Sequence, residues 1–431
     1  MRSGPWWPGS RRVVASTIAD PTRVRIGLHG RLGSGNLGND GTLEALLTHL
    51  QSSYDAEIDF LCSGPEWVSA RYGLPARQMH WLHREQARTG WRGSLPARVA
   101  RVGWGVLVDA WTSARWVSEH DVVCVPGMGS LETTLPVKPW QLPAALFWVS
   151  LAGRMTGVPV AYVSVGASRM RGGPTRWLLV RAARLAHYRS FRDEYSRQQL
   201  AHLGVDVAAD RVYPDLAFAL PEPASSGHAP AGSVGVGVID LASGDRSGRV
   251  GAAYQLLITD LVLWLVDQRR PVRLLIGDGD DEPVARAVLD RVRQARPDLG
   301  PTELCFEPAT TIEELSRQVA GVETVIASRF HNVLCAVKAG RPTLSLGYAA
   351  KHRALMAAVG TPEYALDPRE TTLDELVALV GRLDADRARV VATLEESVSG
   401  LVRDLDRQFT ALDSVVIEAS GDAVGAGSGR P

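Results

Sequence analysis

Short apolar runs alternate with amphipathic stretches along most of the chain. Val24–Leu28 reads as a strand and is followed by a glycine-rich loop. A helix is predicted from about Asp40, because Leu43, Leu46, Leu47 and Leu50 recur at i, i+3, i+4 and i+7. Further strands are expected at Ile58–Cys62, Asp121–Val125 and Val158–Val165, with a buried helix over Leu142–Gly153. The stretch 221–232 (PEPASSGHAPAG) reads as a linker. After it the alternation restarts, with strands expected at Val234–Ile239, Val272–Ile276, Val322–Ser328 and Pro342–Leu346. Such βα alternation implies parallel sheets with crossover helices. Two halves joined by one linker imply an α/β chain of two Rossmann-like domains facing each other across a cleft. The expected division is a flexible segment 1–22, a first domain 23–220, a linker 221–232 and a second domain 233–385. A terminal helix 386–418 and a disordered tail 419–431 complete it.

Composition narrows the function classes. The 431 residues suit two or three domains at about 150 residues each. Basic and acidic residues number 47 each, and this zero net charge argues against a broad nucleic-acid binder. With 45% apolar and 22% charged residues, bulk disorder is excluded. Cys62, Cys124, Cys305 and Cys335 are scattered, so neither a disulfide framework nor a cysteine-based zinc site is expected. Lysine occurs only at 138, 338 and 351, so arginine supplies 47 − 3 = 44 of the basic residues. Asparagine occurs only at 36, 39 and 332. In a chain so drained of both, the survivors point to positions that require them.

No uninterrupted apolar run reaches the ~18 residues of a membrane span, and residues 1–22 hold no run of signal-peptide length. A cytoplasmic protein is expected. Segment 77–118 interleaves Trp81, Trp91, Trp104, Trp111 and Trp116 with arginines. It reads as a helical insertion packing its own tryptophans, or as a surface lying on the inner face of a membrane.

Each candidate chemical motif follows a predicted strand, at the carboxyl end where parallel sheets bind ligands. The first loop runs Gly30-Arg31-Leu32-Gly33-Ser34-Gly35-Asn36-Leu37-Gly38-Asn39-Asp40 into a helix, whose N-terminus attracts anions. The second is Pro126-Gly127-Met128-Gly129-Ser130-Leu131-Glu132, and the third is Gly166-Ala167-Ser168 with Arg169 and Arg171 directly after. In the second half, one strand ends in Arg329-Phe330-His331-Asn332 and the next in Gly347-Tyr348-Ala349-Ala350-Lys351-His352. Arg329, His331 and Lys351 thus converge at the ends of adjacent strands. The run Asp278–Glu282 is expected to be a solvated loop, and no metal-ligand cluster stands out.

In order along the chain stand the first loop, GMGSLE, SVGAS, Arg192-Asp193-Glu194-Tyr195-Ser196, Tyr213-Pro214-Asp215, RFH and YxxKH. This series resembles the polysaccharide pyruvyl transferases over about residues 24–360. Three positions depart from the family pattern: Gly38-Asn39-Asp40 stands for G-D-E, Arg169 for a proline, and Met128 breaks a glycine triplet.

The resemblance implies a GT-B-like fold. It also implies transfer of the enolpyruvyl unit of phosphoenolpyruvate onto two hydroxyls of a sugar or lipid-linked glycan in cell-envelope or exopolysaccharide synthesis. Phosphoenolpyruvate is then a co-substrate, with no further cofactor. Arg329, His331 and Lys351 are the expected catalytic residues, with His331 as acid/base because imidazole titrates near neutrality. Asn36, Gly38, Asn39, Gly127, Gly129, Ser130, Gly166, Arg169, Arg171, Arg192, Asn332 and Tyr348 are expected to bind substrate. A nucleotide-sugar glycosyltransferase or a non-catalytic relative of the fold is the alternative.

Overall fold

The computed structural model describes residues 23–82, 94–132, 138–170, 172–222, 229–241 and 248–427. Two sheets form its two halves. The first has seven strands in the order β3-β2-β1-β4-β5-β6-β7: Val24–Gly30 (β1), Ala56–Cys62 (β2), Ala76–Gln78 (β3), Val122–Pro126 (β4), Val160–Val165 (β5), Tyr188–Phe191 (β6) and Arg211–Val212 (β7). The second has six in the order β10-β9-β8-β11-β12-β13: Val234–Gly237 (β8), Val272–Leu275 (β9), Leu304–Phe306 (β10), Thr324–Ala327 (β11), Thr343–Leu346 (β12) and Ala365–Leu366 (β13). Every pairing within them is parallel. In both, the strand order reverses direction beside the first strand, so each is doubly wound with a crevice at its strand carboxyl ends. The last strand of the first sheet ends at Val212 and the first of the second begins at Val234. Residues 1–22, the middle of the linker (223–228) and residues 428–431 lie outside the described residues.

Helices cover both sheets. In the first half they are Leu37–Ser53 (α1), Pro65–Tyr72 (α2), Leu95–Ser118 (α3), Leu142–Thr156 (α4), Pro174–Leu185 (α5) and Glu194–His202 (α6). In the second they are Arg249–Asp267 (α7), Glu282–Ala295 (α8), Ile312–Ala320 (α9), Phe330–Lys338 (α10), Ala350–Ala358 (α11) and Leu373–Ala385 (α12). A terminal helix, Arg387–Gly427 (α13), crosses back to the first half. There Asp413 accepts from Tyr54 at 2.6 Å and lies 2.8 Å from His49 Nε2, while the buried Gln408 donates to Tyr188 at 2.9 Å. The part-buried carboxylate and the buried amide together fix the two halves relative to each other. Helix α13 runs nine residues past the expected end at 418, into the segment expected as a disordered tail.

One expectation is corrected here. The described part of segment 77–118 is not an insertion packing its own tryptophans. Helix α3 is the crossover between β3 and β4, and it seats Trp116 in the core with its indole donating to Asp59 at 2.6 Å. Gly27 leaves room for that ring: a side-chain carbon there would lie 2.6 Å from Trp116. Trp91 lies outside the described residues. One helix among the described residues, α7, is long and apolar enough by composition to cross a membrane. Its Ile258, Leu261, Val262 and Leu265 are fully buried in the second half's core.

Candidate active site

The two motifs of the second half enter helices immediately. Strand β11 ends at Ala327, Arg329 caps α10, and Phe330, His331 and Asn332 form its first turn. The helix thus begins three residues earlier than its apolar run suggests. Strand β12 pairs with β11 in parallel and leads through Gly347 to α11, with Lys351 in the first turn. Both nine-residue helices therefore aim their N-termini at the same region, between the two halves.

Phe330 is the hub. The Arg192 guanidinium lies 5.1 Å from its ring centroid and Lys351 Nζ lies 5.4 Å away, both at cation–π distance. Arg192 directly follows β6 and is buried among three carboxylates. It donates to Glu132, and its nitrogens lie 3.6 Å from Asp193 and 3.5 Å from Asp215. Lys351 Nζ is 3.6 Å from the other oxygen of Glu132. Glu132 thus bridges a cation from each half. His331 Nε2 faces Asp215 Oδ2 at 3.8 Å, an ion-pair distance too long for a hydrogen bond, and neither atom has a hydrogen-bond partner among the described residues.

The glycines of the loops make room for these groups. A side-chain carbon at Gly38 would lie 1.7 Å from His331 Nδ1, one at Gly166 2.5 Å from the Arg192 guanidinium, and one at Gly129 2.5 Å from the Glu132 carboxyl. At Gly127 it would meet Thr42 at 3.1 Å. The second and third loops also pair, with Gly166 N–H donating to Met128 O at 2.8 Å and Leu131 N–H to Gly166 O at 3.1 Å. Met128 adopts φ +54° there, a left-handed conformation that costs a non-glycine residue ~1–2 kcal/mol.

Burial and charge set the protonation states. Burial pushes His331 below its ordinary value, Asp215 works against this, and Arg192 and Lys351 add to it. Burial likewise lowers Lys351, opposed by Glu132. Burial pushes Asp215 upward, yet His331 and Arg192 hold it below the usual carboxylate range. The site therefore holds an imidazole that burial disfavours as a cation beside the Asp215 carboxylate, flanked by the Arg192 guanidinium and the Lys351 amine. A cavity of about 370 Å³ opens beside it, bordered by Arg192, Asp215, Phe330, Lys351, Tyr195 and Tyr213. That is within the ~300–1,000 Å³ of small-molecule sites.

The other expected site residues are placed differently. Arg329 does not join the cluster as an open cation: it donates to both oxygens of the fully buried Asp281, at 2.7 and 2.6 Å. This also corrects the solvated reading of Asp278–Glu282, since Asp281 lies inside and Asp278 accepts from Asn36 at 2.8 Å, joining the two halves. Asn332 is fully buried against Gly237 and Gly277, and neither its amide nitrogen nor its amide oxygen has a hydrogen-bond partner among the described residues. Asn36 caps α1 by accepting from Asn39 N–H at 3.2 Å, and the Asn39 amide donates to Arg31 O at 3.5 Å. Ser130 is buried and donates to Gly127 O at 3.2 Å. Arg169 is exposed after β5, and Arg171 lies outside the described residues. Tyr348 is half-buried, with Arg369 over its ring at 5.5 Å. His352 is a core group: it packs under Gly347, bonds Ser345 at 2.9 Å and is driven by burial to about 3. Among the described residues, no group of three or more His, Cys, Asp and Glu could hold a metal.

Sequence reasoning missed Glu132, Asp215 and Phe330 as site members, and Asp281 as the partner of Arg329. The available signal was position, since Glu132 and Asp215 close the loops after β4 and β7.

The family model for polysaccharide pyruvyl transferases matches residues 36–349, which spans every member of this cluster except Lys351, two residues beyond its end. No curated protein matches the chain significantly. Among solved structures, a putative UDP-N-acetylglucosamine 2-epimerase from Listeria monocytogenes is similar at TM-score 0.60 and 13% identity, over 92% of this chain and 97% of that one. A UDP-GlcNAc 2-epimerase from Neisseria meningitidis bound to UDP-GlcNAc is similar at 0.57 and 10% identity, over 92% and 100%. A lipopolysaccharide outer core galactosyltransferase in its apo form follows at 0.51 and 12% identity, over 92% and 99%. At such identities the likeness shows the fold, that of GT-B epimerases and glycosyltransferases. The motif series, its convergence on Phe330 and the family match together identify the chain as a member of the polysaccharide pyruvyl transferase family.

Proposed function

We propose that the chain moves the enolpyruvyl unit of phosphoenolpyruvate onto two hydroxyls of a sugar in a cell-envelope or exopolysaccharide glycan. The observation that carries this reading is the convergence of His331, Asp215, Lys351 and Arg192 beside two helix N-termini, in a chain of this family.

Phosphoenolpyruvate brings a phosphate and a carboxylate. Lys351 and Arg192 supply fixed positive charge, and the N-termini of α10 and α11 add partial charges of the same sign. Bound donor anions compete with Glu132 for Lys351, which the open 3.6 Å separation permits. His331, neutral at pH 7, accepts the proton of the first attacking hydroxyl and delivers it to the donor's methylene carbon, which becomes a methyl group. The hydroxyl oxygen bonds to the neighbouring carbon. The second hydroxyl then attacks that carbon, its bond to the phosphate oxygen breaks, and the second proton leaves with phosphate. The Asp215 carboxylate stabilises the transient imidazolium, a role that needs a charge near Nε2. Positioned acid–base groups of this kind contribute ~10²–10⁴-fold. Arg329 acts through the fold, holding Asp281 and the start of α10.

The test is phosphate release from phosphoenolpyruvate in the presence of a cell-envelope glycan extract, with UDP-sugars as the control donor. Glycan-dependent phosphate release supports the proposal. Transfer from a UDP-sugar without phosphoenolpyruvate turnover contradicts it.

A further inference from the structure

The outer face of the first half carries a surface that this chemistry leaves unused. Helices α3, α4 and α5 lie side by side on one face of the first sheet and share one core. There Trp116, Val149 and Leu179 meet Val123, Val160 and Tyr162 of the strands. Because all three bury one side in that core, their opposite sides face outward together. On α3 that side presents Trp104, Leu107 and Trp111, each more than 60% exposed and spaced i, i+3, i+7 along one stripe. On α4 it presents Met155 at 78%, and on α5 Trp177 at 53%. Scattered exposed hydrophobics are ordinary on a protein surface, whereas tryptophans aligned on one helical layer are not.

Charge on this layer is one-sided. The three helices carry seven arginines, three on α3, one on α4 and three on α5. Their single acidic residue, Asp109, is buried and accepts from Trp81 N–H at 2.7 Å. Glu119, directly after α3, is engaged by Arg77 at 2.8 Å and Arg115 at 3.2 Å. In a chain of zero net charge, this is a local excess of arginine. Two of the arginines lie over the exposed rings: Arg115 is 5.8 Å from Trp111 and Arg181 is 5.7 Å from Trp177. Indole below and guanidinium beside it is the arrangement that suits the boundary between acyl chains and headgroups. A second copy of the chain is a poor occupant, since it would bring the same positive face.

We propose that the α3–α4–α5 face docks on the surface of an anionic phospholipid bilayer, with Trp104, Leu107 and Trp111 entering the headgroup boundary and the arginines meeting lipid phosphates. The face is remote in role from the Phe330 cluster, so the proposal stands whether or not the donor assignment does.

The experiment is vesicle flotation of the full chain, with phosphatidylcholine alone and with about one-third phosphatidylglycerol. Binding is expected on the anionic vesicles, weakening as salt rises, since each interfacial arginine contributes roughly fivefold at low ionic strength. The variant W104S/L107S/W111S should bind at least about tenfold more weakly while keeping wild-type thermal unfolding, because these side chains are exposed in the fold. R176E/R181E should lose binding to anionic vesicles to a similar extent. Wild-type flotation with neither vesicle overturns the proposal, as does equal binding of the serine variant. Equal binding to both vesicle types overturns its electrostatic half. A wild-type dimer in light scattering that the serine variant abolishes, without flotation, assigns the face to self-association instead.

Discussion

Gly38→Ala is a small change with a large expected consequence. The new methyl carbon would start 1.7 Å from His331 Nδ1, 2.0 Å from Cε1 and 2.2 Å from Cγ, where ordinary contact begins at 3.4 Å. The imidazole must therefore retreat by roughly 1.5–2 Å or the two halves must part, with the Asp215 carboxylate only 3.8 Å away on the Nε2 side. Misplacement of a reacting group by ~1 Å costs about 10²-fold, so turnover should fall by at least that factor. Stability should change far less. Gly38 lies in the first turn of α1 at a φ open to any residue, and alanine gains up to ~1 kcal/mol of helix preference there. Overpacking costs ~1–3 kcal/mol, leaving a net loss of about 0–2 kcal/mol. The assay is glycan-dependent phosphate release beside urea unfolding, with the His331 imidazole resonance as a readout independent of activity. Gly279→Ala is the control, since nothing lies within 4 Å of its new carbon. A folded Gly38→Ala protein with turnover within about twofold of wild type and an unmoved His331 resonance would refute the reasoning.

Other outcomes follow from the same contacts. Arg329→Ala strands the fully buried Asp281 carboxylate and should cost ~3–5 kcal/mol in urea unfolding; adding Asp281→Leu in an Arg329→Met background should recover most of it, and failure to recover would remove the structural role given to Arg329. Asp215→Asn removes the charge that raises His331, so the acid limb of kcat/KM should move to lower pH; a limb that stays in place means that His331 is not the titrating base. Burial holds His29 at about 4 and His352 at about 3, below the ordinary 6.5, so the unfolded chain binds more protons as pH falls below 6.5, and stability present above that pH is lost. Asp40 is pushed by burial to about 6 and is protonated first in the fold, which returns part of the loss. Summed over these three groups, denaturant unfolding at pH 5 against pH 7 should show a net loss on the order of 2–3 kcal/mol, and a flat profile would contradict their burial.

The strands with strong apolar runs, such as those at Ile58, Val160 and Val325, were legible because burial on both faces leaves a continuous hydrophobic signature. Strands β3, β6, β7, β10 and β13 were not, because two to four residues cannot display a period of two. The convergence of His331 and Lys351 could be read from strand ends alone. Arg192 was legible as a candidate too, but the carboxylate partners were not. Glu132 and Asp215 come from separated loops, and only the packed sheet brings both onto the Arg192 guanidinium. Rarity marked Asn332 as a required residue, but sequence could not show its buried fit against Gly237 and Gly277. Nor can sequence show that a carboxylate 48 residues upstream of Arg329 already occupies its fork.

The central claim is that the Phe330 cluster holds phosphoenolpyruvate through Lys351. Calorimetric titration of phosphoenolpyruvate into wild-type protein and Lys351→Ala tests it most directly. A charged hydrogen bond is worth ~1.5–3 kcal/mol, so the account predicts saturable binding to wild type and roughly 10–100-fold weaker binding to the variant. Lys351→Arg should not restore the full affinity, because a planar fork aims differently from an ammonium. No binding to wild type, or equal affinity in wild type and Lys351→Ala, would contradict the claim.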